Sequence, residues 1–183
     1  MIFIYMIKIH CAFLVLVAVL ITSCGRVSES PIESYKTLSA AEISSLIYSN
    51  VPPLSIVPAI TLQDRNYILP TKKWVEGNFT AQLSKFLFDY NIALYNEEKN
   101  DCDKFSLYGR AVANILNRHN PNNKNTGVAV GQISIFRGVS GHSINFMVIS
   151  DKDGNCDVIY YEPQTLRITT LNPESDIRVS YNL

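Results

Sequence analysis

The feature that most constrains this chain is "HSINFMVIS", then "DKDGN", then "CDVIYYEP", residues 142–163. Two runs of β-branched and aromatic residues flank five residues that contain Asp153-Gly154, a strong reverse-turn pair. Such a pattern closes into an antiparallel hairpin. The turn sets the register: position 149 pairs near 156, and counting outward brings 142 opposite 163 or 164. His142 is therefore expected beside Glu162, Pro163 and Gln164, straight across or diagonally.

Three more runs, "VAVGQISIFR", "LRITTL" and "IRVSYN", have the same character. The segments ahead of them read as helix. "AAEISSLIYS" suits a short helix, while the prolines of "NVPPLSIVPAI" force an extended path. From Thr71 the pattern is helical, with an interruption at Gly77-Asn78. Phe79, Leu83, Phe86, Leu87 and Tyr90 line one face. Asn100 or Asp101 caps a second helix, striped by Phe105, Tyr108, Val112, Ile115 and Leu116. His119 falls at its C-terminal end. The expected fold class is α+β: helices, then an antiparallel sheet of about five strands packed on the helix that carries Cys102. His142, Ile144, Phe146 and Val148 share one side of their strand, and that side is expected to face the helix.

The N-terminus reads as an address. "CAFLVLVAVLI", Cys11 to Ile21, is an apolar run too short to span a bilayer, preceded by Lys8. Met6 is the expected initiator. The run ends in Ile21-Thr22-Ser23-Cys24, which has the form of a bacterial lipobox, with Cys24 as the lipidated residue. Residues 1–23 are thus expected to be a signal peptide, 24–40 a flexible tether and 41–183 the folded domain. The expected location is the bacterial envelope, lipid-anchored at the periplasmic face of the outer membrane. Lys+Arg and Asp+Glu each count 16, so no net charge draws the chain to nucleic acid.

Cys102 and Cys156 remain as a candidate disulfide in an oxidising compartment. The hairpin argues against the pair. Cys156 opens the strand that Glu162 closes, a span of roughly 20 Å, whereas a disulfide needs Cα atoms within about 7 Å. Cys102 instead reads as a nucleophile at an inward-facing helix N-terminus, where a thiolate is favoured. His142 is the candidate base, and Glu162 orients its ring, with Gln164 as an alternative. The Cys102 N–H is one oxyanion donor, and Asn100 and Gln82 are candidates for the second.

"DCDKF" opening a helix, "GHSIN" opening a strand and "YYEPQT" closing the next resemble the papain-like cysteine protease domain of the Marasmius oreades agglutinin type and related bacterial and phage domains. "DRNYILPTKKW" resembles the segment ahead of their cysteine. The resemblance spans roughly residues 60–170. It implies a Cys–His–Glu triad at Cys102, His142 and Glu162, and a calcium requirement for which no ligands can be mapped, although Asp101 and Asp103 are nearby acids. A broader resemblance, to NlpC/P60 peptidoglycan hydrolases, rests on the same cysteine and Gly-His elements. The function these readings imply is a membrane-anchored cysteine hydrolase acting on peptide or amide bonds of a peptide or protein. A catalytically inactive binding module is the alternative.

Overall fold

The computed structural model describes residues 31–50, 58–92, 101–120, 125–137, 139–172 and 176–183. Among the described residues, nine strands fall into two sheets. In the smaller, β1 (Ser34–Ser39) pairs antiparallel with β3 (Asn66–Pro70), which pairs parallel with β4 (Gly127–Val128). In the larger, the order is β2-β9-β5-β6-β7-β8. It contains β2 (Ala59–Thr61), β5 (Val130–Arg137), β6 (Ser140–Ser150), β7 (Cys156–Glu162), β8 (Arg167–Thr169) and β9 (Asp176–Asn182). All its pairings are antiparallel except β2 with β9.

Mixed helix and sheet is therefore the observed class, but the large sheet has six strands rather than five. The additional one, β2, is three residues long and follows a proline-rich segment, so it carries no alternation that could be read. The tether boundary also moves. Residues 34–39, expected within a flexible tether, form β1, because Lys36 to Ser39 pair with Leu69 to Asn66.

The hairpin forms with its register one place from the count. Ser150 pairs with Cys156 and Asn145 with Tyr161. Asp151 organises the turn: its Oδ1 accepts from the backbone N–H of Asp153 and of Asn155, both at 2.9 Å. Gly154 sits at φ +82°, a left-handed conformation that glycine adopts without Cβ strain.

Helix α1 (Ala40–Asn50) follows β1 directly. Lys72–Trp74 (α2) and Thr80–Asp89 (α3) are joined by a π turn, Val75–Phe79, where Gly77-Asn78 interrupts the helical pattern. Thr80 Oγ1 donates to the Val75 carbonyl at 2.8 Å, supporting the widened turn. Helix α4 (Cys102–Arg118) follows its cap Asp101 and ends at His119. Its stripe is rotated from the expected one. Phe105, Val112, Ala113 and Leu116 are buried, while Ile115 is exposed.

Both faces of β6 are buried, and α4 covers the opposite one from that expected. Met147 and Ile149 pack with Phe105, Val112, Ala113 and Leu116. Ile144, Phe146 and Val148 pack instead with Ile43 and Ile47 of α1, Leu69 of β3 and Tyr181 of β9. A strand apolar on both sides offers no alternation to say which side a given helix will take.

Candidate functional site

Asp101 takes an extended backbone, and its Oδ1 accepts from Lys104 N–H at 3.1 Å. That cap satisfies one of the free N–H groups at the start of α4 and makes Cys102 the first helical residue. Asp103 adds a negative charge to the first turn, favourable beside the helix dipole. Asn100 lies outside the described residues.

Side-chain bonds give the direction of α4 on the sheet. Near its start, Asn145 Nδ2 donates to the Ser106 carbonyl at 2.7 Å. Near its end, Asn117 Nδ2 donates to the Thr126 carbonyl at 2.9 Å, just ahead of β4. The helix runs along β6 in the same direction. Cys102, one turn before Ser106, therefore stands at the level of the first residues of β6, where His142 is.

His142 Nε2 lies 2.8 Å from Glu162 Oε2, both side chains part-buried. With Asn145 opposite Tyr161, position 144 falls opposite 162, so this pair is a diagonal one. Pro163 has no N–H and β7 ends before it. The Gln164 N–H returns to Glu162 Oε1 at 3.2 Å and holds the carboxylate. Glu162, not the Gln164 amide, engages the imidazole, and Gln164 Nε2 is buried without a partner among the described residues.

Cys102, His142 and Glu162 are thus brought to one end of the sheet. No hydrogen bond joins Cys102 Sγ to the ring among the described residues. The physical reason is the exchanged face: His142 belongs to the Ile144–Phe146–Val148 side, whereas α4 lies on the other. Gln82 sits half-buried on α3 with no hydrogen bond to a described residue. Cys102 and Cys156 are both free thiols, in line with the strand-length argument.

Among the described residues, no group of three or more His, Cys, Asp or Glu converges to hold a metal. Asp101 is committed to the cap, with Lys104 Nζ 3.8 Å away.

A groove of about 450 Å³ lies at the other end of β6, lined by Glu33, Tyr35, Lys73, Asn155, Cys156 and Asp157 among others. The β1–β3 register shifts between Ser34 and Lys36, and the extra residue is Tyr35. Such a bulge re-aims the side chain, and Tyr35 is 56% exposed, its hydroxyl bonded to Glu33 Oε1 at 3.1 Å. Sequence reading missed this groove, because β1 was placed in the tether and a bulge has no local signature.

No family model matches the chain, and no curated protein matches it. Solved structures do. One is described as the PSL1a–E64 complex, with a TM-score of 0.64 and 16% identity, covering 80% of this chain and 51% of that one. Another is the Polyporus squamosus lectin bound to the human-type influenza-binding epitope Neu5Aca2-6Galb1-4GlcNAc. Its TM-score is 0.61 at 16% identity, covering 80% of this chain and 49% of that one. At this identity the likeness establishes a shared fold, and the chain spans about half the length of the structures it matches. These neighbours correct the functional expectation. One of them is described as a lectin, and no family model matches. The assignments as papain-like protease, cysteine hydrolase and enzyme are therefore not upheld. What the comparisons establish is that most of this chain is built like about half of a lectin chain.

Proposed function

We propose that this chain is a binding module whose partner is a carbohydrate, held in the groove beside Tyr35. The groove carries the reading. Its volume of about 450 Å³ is within the usual range for small-ligand sites. A pyranose presents a flat C–H face that packs on an aromatic ring, and hydroxyls that need both donors and acceptors. Tyr35 supplies the ring, and Glu33, Lys73, Asn155 and Asp157 supply the polar groups. The lectin neighbour, solved with a sialylated trisaccharide, supports the same ligand class.

The lipobox-like Ile21-Thr22-Ser23-Cys24 supports display from the bacterial envelope through lipid on Cys24, at the periplasmic face of the outer membrane.

Glycan-array binding followed by calorimetry on the full chain in detergent tests the proposal. Saccharide binding that Tyr35→Ala weakens about tenfold, equivalent to about 1.4 kcal/mol, is the expected result. Two outcomes overturn it: no saccharide bound at millimolar concentration, or covalent capture of E64 on Cys102 accompanied by cleavage of peptide bonds.

A further inference from the structure

Asn145 is the polar residue in the run Ile144–Ile149, and it is fully buried. Its Nδ2 donates to the Ser106 carbonyl of α4 at 2.7 Å and to the Gly131 carbonyl of β5 at 3.0 Å. Its Oδ1 is pressed against α4 at Gly109, where a Cβ would stand 2.1 Å from that oxygen. Glycine inside a helix costs about 1 kcal/mol relative to alanine. Here the amide leaves room for nothing larger.

Against the strands themselves α4 packs mainly through apolar side chains, Val112, Ala113 and Leu116 against Val130, Met147 and Ile149, and its bond from Asn117 Nδ2 goes to the Thr126 carbonyl ahead of β4. Apolar burial is non-directional, so it holds two elements together without strongly fixing how far one lies along the other. A directional pair of hydrogen bonds and a side chain seated against a missing Cβ do fix it. A buried amide that specifies register at some cost in stability is well attested in coiled coils.

We propose that Asn145 and Gly109 form a register pin that sets the position of α4 along β6 and so keeps the Cys102 thiol at the His142–Glu162 end. Asn145 is then a positioning residue: among the described residues it hydrogen-bonds to neither Cys102 nor the imidazole–carboxylate pair, and acts through the helix. A slip by one helical turn, about 5.4 Å, would carry the thiol off the level of His142. The proposal concerns the opposite end of β6 from the groove and does not rest on the carbohydrate reading.

Cys156 provides an internal standard, because it is a free thiol at the far end of the sheet. The full chain is alkylated with iodoacetamide, and peptide mapping gives the rates at Cys102 and Cys156. Thermal unfolding is followed in parallel. Gly109→Ala and Asn145→Ala are each expected to lower Tm and to change the Cys102:Cys156 rate ratio by about threefold or more. The double variant regains part of the lost Tm, because the new methyl group enters the space the amide left. Its rate ratio stays displaced, because the directional bonds are gone. Additive losses in Tm would show that the two positions are not coupled, and a wild-type ratio in all three variants would show that the pair does not position the thiol. Either result overturns the proposal.

Asn145→Asp covers the case in which Asn145→Ala does not fold. A neutral carboxyl donates one hydrogen bond and a carboxylate none, so its Tm deficit against the parent is expected to shrink as pH falls. A deficit that does not shrink, or that widens, also overturns the proposal.

Discussion

The two ends of β6 solve different problems. At the Ser150 end a bulge turns Tyr35 outward over a groove bordered by charged side chains. At the His142 end polar side chains bond across the sheet, while Asn145 Oδ1 and Gln164 Nε2 are buried with no partner among the described residues. Asn145 binds two carbonyls, Ser143 and Ser134 hydroxyls meet at 3.4 Å, and Glu162 joins His142 to the Gln164 backbone. The contrast separates order from openness. The buried Asn145 contacts lie at the end away from the groove. They specify where a helix lies, at a cost that buried polar groups recover only when paired.

The largest expected effect removes what the two ends share. Phe146 is fully buried mid-strand and meets the Tyr181 ring edge-on at 5.0 Å. Phe146→Ala is expected to cost about 3–5 kcal/mol, measured by urea unfolding. Slowed iodoacetamide reaction at either cysteine is not expected, since both thiols become more accessible together. A loss under about 1 kcal/mol would show that the ends are supported separately.

The second effect separates the ends by pH. Burial pushes the Tyr161 phenol up from 10.0 to about 12, partly offset by its hydrogen bond with Thr80 Oγ1 at 3.0 Å. The folded state therefore holds a proton that the unfolded state releases from about pH 10. This contribution is fully present below pH 10 and is lost as pH rises towards 12. Tyr161→Phe is expected to flatten that limb in Tm-versus-pH measurements, and an unchanged limb would place its cause elsewhere.

Smaller still is Asp101→Ala, expected to cost about 1 kcal/mol through loss of the α4 cap. Hydrogen exchange should quicken at Lys104 while Ile149 and Cys156 are unaffected; equal quickening at both ends would break the comparison. The smallest is Glu162→Gln, expected below about 1 kcal/mol because both partners remain part-exposed. Imidazole ¹⁵N shifts of His142 should nevertheless move, since its Nε2 partner changes character. Unmoved shifts would mean that the pair does not persist in solution.

Much of the fold was legible because local chemistry dictates it. Asp153-Gly154 between two β-rich runs leads to a hairpin, and the count from that turn places His142 near Glu162. Asp101 ahead of an amphipathic run leads to a helix start. Gly77-Asn78 marks the π turn. What was misread depends on long-range contacts. Three residues of β2 gain strand geometry by pairing with β9, and Tyr35 is exposed by a bulge against β3. The side of β6 that α4 occupies was lost to the strand's apolar character on both faces.

The sequence by itself determined that Cys102 begins a helix, that Cys102 and Cys156 are kept apart by the length of a strand, and that His142 and Glu162 meet. Turn chemistry, capping and strand rise act over a few residues and need no knowledge of the rest of the chain. Only the tertiary structure decided that His142 and α4 lie on opposite faces of β6, and that a groove opens at the far end. It also decided that Asn145 is seated against Gly109. Packing between elements distant in sequence is chosen by the shape of the whole core. A single amide against a missing Cβ then resolves what apolar surfaces leave free.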